Sequence, residues 1–164
     1  MTLDQFNQFN AADAHAAIAH CVAIPGWSSA LLAARPYASL DALLDYADAL
    51  ASRWNSADLL EALSAHPRIG ERAKGEGKEA ALSRQEQSSV NHHNLQLQQA
   101  LRSGNAAYEQ RFGQVFLIRA KGRTGEQMLA ELQRRLANEP LQEQQEALIQ
   151  LREITQLRLR EIFQ

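Results

Sequence analysis

Between Leu40 and Trp54 the apolar residues are Leu40, Leu43, Leu44, Ala47, Leu50, Ala51 and Trp54. That three- and four-residue spacing marks one face of an α-helix, held over about four turns. A strand would show strict alternation, and no stretch of the 164 residues does. A helix with one apolar face buries it against other helices when no sheet is available. The sequence therefore predicts an all-α fold: a single-domain, multi-helix bundle over residues 1–164.

Other segments follow the same pattern. Asn10 is a helix cap for Ala11 to Val22, with Asp13 in the first turn, and Pro25-Gly26 is a stop. Trp27 to Arg35 is a short helix or turn ended by Pro36, and Ser39 caps the helix described above. After Asn55-Ser56, Leu59, Leu60 and Leu63 form one face. That helix must end near His66, because Pro67 disfavours helical geometry in the residue before it. Arg68 to Glu79, with Gly70, Gly75 and Gly77, reads as a loop, and Ala80 to Leu82 as a short turn. Ser83 to Arg102 is the next helix, stopped by Ser103-Gly104. Asn105 then caps Ala106 to Phe112, and Gly113 ends it. Val115-Phe116-Leu117-Ile118 is apolar throughout and too short to be a helix, so it is expected to be a buried extended segment. Thr124 to Gln127 fits a capping box for a helix to about Ala137, and Asn138 and Pro140 separate it from a last helix to about Phe163.

Composition removes several function classes. Seventeen basic and nineteen acidic residues give a net charge of -2, without the basic field of a nucleic-acid binder. Cys21 is the single cysteine, so no internal disulfide forms and a reducing compartment fits. The first residues lack the pattern of a signal peptide, and no apolar run is long enough to span a membrane. The expectation is a cytoplasmic protein, with no nucleic-acid and no membrane partner. No metal site is expected: the adjacent His92 and His93 would point about 100° apart on a helix, and His15 and His20 are also wrongly spaced. Lys74 to Lys78 lacks the pattern of a phosphate loop.

Three places could carry chemistry. His66 at a helix end is favoured as the imidazolium by the helix dipole, and Pro67 turns the chain so that the ring can project. A histidine bonded to its own last carbonyls explains the same position. Ser83-Arg84-Gln85-Glu86 is a capping box by pattern, and the same helix N-terminus would make an anion-tolerant pocket wall. Arg158 interrupts the apolar stripe Leu151, Ile154, Ile162, so it needs an anion, from the protein or a ligand, or must snorkel at the core's rim.

These stretches, in this order, resemble the family of 2-oxo-4-hydroxy-4-carboxy-5-ureidoimidazoline (OHCU) decarboxylases. The resemblance is carried by His66-Pro67-Arg68-Ile69-Gly70, Ser83 to Gln87, Tyr108 to Gly113 followed by Val115 to Ile118, and Leu157-Arg158-Leu159. It implies an all-α enzyme that needs no cofactor, acting on a small ureido-imidazoline in the last step from urate to (S)-allantoin. By the same resemblance His66 is the catalytic acid/base, and Glu86 the carboxylate that orients substrate and histidine. Pro67, Ser83 and Gln87 line the pocket, Ile118 and Ala120 offer backbone groups, and Arg158 faces the substrate. The reading that competes with it is a non-catalytic helical interaction module, which the last helix and the Gln-rich stretch from Asn91 to Gln99 would serve. A homodimer is compatible with both readings.

Overall fold

The computed structural model describes residues 1–70, 78–87 and 94–164. Among the described residues there are nine α-helices and no strand: α1 (Leu3–Gln8), α2 (Ala11–Ile18), α3 (Pro25–Ala33), α4 (Leu40–Ala51), α5 (Ser56–Leu63), α6 (Lys78–Glu86), α7 (Leu95–Phe112), α8 (Gly125–Arg135) and α9 (Pro140–Ile162). The all-α expectation is met. None of these helices is long and apolar enough to cross a membrane. The chain packs as two compact units, one of Met1–Ala62 with Arg152–Gln164 and the other of Leu63–Leu151.

In the first unit, α4 buries the predicted face through Leu43, Leu44, Ala47 and Ala51. Ser39 caps it by accepting from the Ala42 N–H at 3.1 Å. Trp27 is buried, and its indole N–H donates to the Ala47 carbonyl at 3.2 Å, which joins α3 to α4. Pro25 does not stop a helix here. It opens α3, where its fixed φ suits the first turn and its missing N–H costs nothing. Helix α1, absent from the sequence reading, is started by a capping box between Thr2 and Gln5. Arg35 closes its other end, donating to the carbonyls of Phe6 and Phe9, both at 2.8 Å.

The second unit corrects three expectations. Helix α6 begins at Lys78, so Ser83 lies inside it rather than capping it, and the capping box fails. Lys78 to Leu82 is a run of good helix formers, and it outweighs the local Ser-x-x-Glu pattern. Consequently Ser83 to Gln87 stands at a helix C-terminus, not at an anion-favouring N-terminus. Helix α7 runs unbroken through Ser103-Gly104, so neither a stop at Gly104 nor a cap at Asn105 exists. A Cβ on Gly104 would lie 2.6 Å from Cδ2 of Leu132, so this glycine lets α8 approach α7 closely. Gly113 does end α7 as expected, with φ of 71° and its N–H on the Glu109 carbonyl at 2.8 Å. His92, His93 and the centre of the predicted 68–79 loop lie outside the described residues, whereas Lys78 and Glu79 are helical.

The unit's core joins Leu97, Leu101 and Tyr108 of α7 to Met128 and Leu132 of α8, with Phe116, Ile118 and Ala120 between helices. Residues 115–120 lie outside any helix, and Phe116, Leu117 and Ile118 of the predicted segment are buried. A buried ionic network holds them. Arg135 and Glu143 have side chains only 2% and 1% exposed and pair at 2.6 Å. Arg135 also donates to the Leu117 carbonyl at 2.8 Å and lies over the Phe116 ring. Tyr108 and Asn138 donate to the same carboxylate.

Candidate active site

His66 follows α5 by one turn, its N–H donating to the Leu63 carbonyl at 3.1 Å. Its side chain is 7% exposed, and Nε2 lies 3.7 Å from Oε1 of Glu79 on α6. The contact is a charge pair when the imidazole carries its second proton. The residues after Pro67 are fastened at each step. Arg68 makes a two-pronged pair with Glu109 at 2.8 and 2.9 Å. The Ile69 carbonyl accepts from Nδ2 of Asn105 at 2.9 Å. The Gly70 N–H donates to Oε1 of Gln87 at 3.1 Å.

On α6, Glu79, Ser83, Glu86 and Gln87 recur at i, i+4, i+7 and i+8, the spacing of one helix face. Ser83 and Gln87 are buried, at 3% and 6% exposure, and Glu86 is half-buried at the helix end. Gln87 spends its oxygen on Gly70, so its amide nitrogen is the group left to donate elsewhere.

Between α7 and α8, side chains take up several backbone groups of residues 117–119. The Leu117 carbonyl accepts from Arg135, the Arg119 N–H donates to Gln150 at 2.8 Å, and the Arg119 carbonyl accepts from Arg123 at 2.8 Å. The side chains of Ile118 and Ala120 join the core. The Ala120 carbonyl is already taken by the Arg123 N–H at 3.1 Å. Arg158 belongs to the first unit. It is 1% exposed, as its place in the apolar stripe requires, and Nη1 donates to the Cys21 carbonyl at 3.3 Å.

Against this geometry stand the comparisons with known proteins. A model of the OHCU decarboxylase family matches residues 7–160. The chain belongs to the OHCU decarboxylase family. It is 33% identical over 78% of its length to the uric acid degradation bifunctional protein TTL of Arabidopsis thaliana. It is 40% identical over 60% of its length to the 2-oxo-4-hydroxy-4-carboxy-5-ureidoimidazoline decarboxylase of Amia calva. These alignments span 40% and 58% of the two relatives. Among solved structures, an OHCU decarboxylase crystallised in the presence of (S)-allantoin superposes with a TM-score of 0.74 at 29% identity, covering 88% of this chain and 95% of that one. An (S)-allantoin synthase shares the fold, with a TM-score of 0.72 at 20% identity over 99% of this chain and 54% of that one.

Within this family member, His66, Pro67, Ser83, Glu86 and Gln87 come from two neighbouring stretches of one unit, and Ile118 and Ala120 belong to the same unit. Glu79 and Asn105 also contact the His66–Gly70 segment. Glu79, expected in a loop, is in register with Ser83 and Glu86 because α6 starts at Lys78. Asn105, expected as a cap, lies inside α7 and is buried. A cavity of about 280 Å³ lies behind the segment, lined by Arg68, Gly70, Gln98, Leu101, Arg102 and Asn105 among others. His66 and Glu86 are not among its lining residues.

Proposed function

We propose that residues 1–164 act as one OHCU decarboxylase domain, converting 2-oxo-4-hydroxy-4-carboxy-5-ureidoimidazoline to (S)-allantoin and CO2 in urate degradation. The carrying observation is the pairing of His66 with α6: the imidazole faces Glu79 at 3.7 Å while Gln87, from the same face, fixes Gly70. A proton-transfer group is thereby held beside a polar, largely buried helix face.

In this reading the substrate's carboxylate–ring bond breaks, and its electron pair passes into the neighbouring C=N of the ring. The substrate supplies its own electron sink. The protein has to hold the carboxylate out of the ring plane, keep water from the developing charge and return one proton to one face. His66 is the acid/base that delivers the proton, and Glu86 orients substrate and imidazole. Pro67 aims the ring and lines the pocket with Ser83 and Gln87. The Gln87 amide nitrogen and the N–H groups of Ile118 and Ala120 meet the ureido and ring carbonyls. Arg158 meets the carboxylate. Arg158 is buried and donates to the Cys21 carbonyl. A single cysteine suits the cytoplasm.

The test is conversion of freshly generated substrate by the purified chain, followed by circular dichroism of the product. Accumulation of one allantoin hand supports the reading, and a racemic product at the uncatalysed rate sinks it. Glu86→Gln separates the roles further: a drop of at least tenfold in kcat supports the carboxylate's part, and a fully active variant removes it.

A further inference from the structure

We propose that Asn105 is a positioning residue for the reaction, acting on His66 through the Ile69 carbonyl; this rests on His66 being the acid/base. Leu101, Asn105 and Glu109 are spaced by four on α7 and form one stripe along it. Each meets the His66–Gly70 segment in turn. Glu109 takes Arg68, Asn105 takes the Ile69 carbonyl, and Leu101 packs against Gly70. Gly70 has φ of +93°, and a Cβ there would stand 3.1 Å from Cδ1 of Leu101, so the segment lies hard against the helix.

The three contacts are not equivalent. Arg68 is 48% exposed, so its pair with Glu109 is solvent-screened and weak. Leu101 sets a distance but no direction. Asn105 is 3% exposed, and Nδ2 reaches the Ile69 carbonyl at 2.9 Å, a directional bond inside the core. Among the described residues its Oδ1 has no hydrogen-bond partner. A leucine would fill this place in a helix without that orphaned acceptor and with better helix propensity. What the amide adds is the single donation to Ile69.

That donation reaches the imidazole over a short, stiff path. Between Ile69 and His66 stand only Arg68 and Pro67, and proline fixes one backbone angle while restricting the residue before it. The other end of the path is tied to α5 by the His66 N–H. Rotation of the Ile69 peptide is passed along this short path, and the ring would move relative to Glu79 on α6. A displacement of about 1 Å in a positioned group costs on the order of 10²-fold in rate.

The experiment compares wild type, Asn105→Leu, His66→Ala and the double variant in the full chain. Folding is checked by helicity and melting, and kcat, KM and allantoin handedness are measured separately. The expected result is a folded Asn105→Leu with kcat lowered roughly 10- to 100-fold and KM within about threefold, with part of the handedness lost. Adding Asn105→Leu to His66→Ala should slow the enzyme no further, since both changes act on one group. Wild-type kcat in folded Asn105→Leu overturns the inference, as does an equal loss in both backgrounds. Full activity of His66→Ala would instead remove the reading of His66, and this inference with it. If Asn105→Leu does not fold, Asn105→Ser, which is smaller, carries the same measurements with the same outcomes.

Discussion

Replacing Glu143 by glutamine keeps the side-chain volume and removes one charge from the interior of the second unit. The carboxylate accepts from Arg135 through Nε at 3.0 and 3.1 Å and through Nη2 at 2.6 Å, and also from Tyr108 and Asn138. Glutamine offers one acceptor oxygen, and its NH2 would face groups that are themselves donors. With both side chains at 2% exposure or less, water cannot take over. Removing one partner of a buried pair costs about 3–5 kcal/mol, because the other charge is left uncompensated. At about 2–4 °C per kcal/mol for a chain of this size, melting should fall by roughly 6–20 °C. The double replacement Arg135→Met with Glu143→Leu removes both charges, leaving the Leu117 carbonyl, Tyr108 and Asn138 short of partners. It should cost about 2 kcal/mol less than the sum of the single changes. Urea unfolding with an unchanged slope is the assay. A Glu143→Gln cost below about 1 kcal/mol, or strict additivity in the double variant, would refute the idea that the pair is an interdependent buried unit.

Two further outcomes follow from the packing and the charges. Gly104→Ala should destabilise wild type by about 1–2 kcal/mol, because the clash with Leu132 at 2.6 Å exceeds the gain in helix propensity, and should stabilise a Leu132→Ala background by up to about 1 kcal/mol. Calorimetry showing the same sign in both backgrounds would contradict the close-approach role. Glu146 has its carboxyl held below the usual carboxylate range by its bond to Arg134, aided by Asn138, so its contribution to stability is present above that range and lost as pH falls through the lower folded value. Glu146→Gln should therefore differ from wild type by about 0.5–1 kcal/mol near pH 7 and converge with it in strong acid, with pH-dependent denaturation as the check. A gap that widens in acid would reverse the assignment.

How far the sequence could be read depended on where each residue's reason lies. The α4 stripe and the αL stop at Gly113 have local causes, and both appear as read. Gly104 is the same residue type used oppositely, because its reason is Leu132 on another helix. The Ser83-x-x-Glu86 pattern was complete in itself, yet the five residues before it decided where α6 begins. Arg135 and Glu143 look like ordinary helix-surface charges, and only their tertiary neighbours reveal a buried pair. Arg158 stood out, since an arginine among Leu151 and Ile154 breaks a visible period, and it is buried. Within the candidate site, spacing marked His66 and Arg158 as unusual but could not assign roles, which came from family resemblance. Asn105 escaped because its partner is a backbone carbonyl, which no side-chain pattern records.

The central claim is that His66 delivers the proton that fixes the product's hand. Its most direct test is the circular dichroism of allantoin formed from fresh substrate by wild type and by His66→Ala, with matched helicity and melting. The expected result is a loss of about 10²–10⁴ in kcat, with no excess of the S form in the variant. A folded His66→Ala that still makes (S)-allantoin at near wild-type rate would contradict the claim.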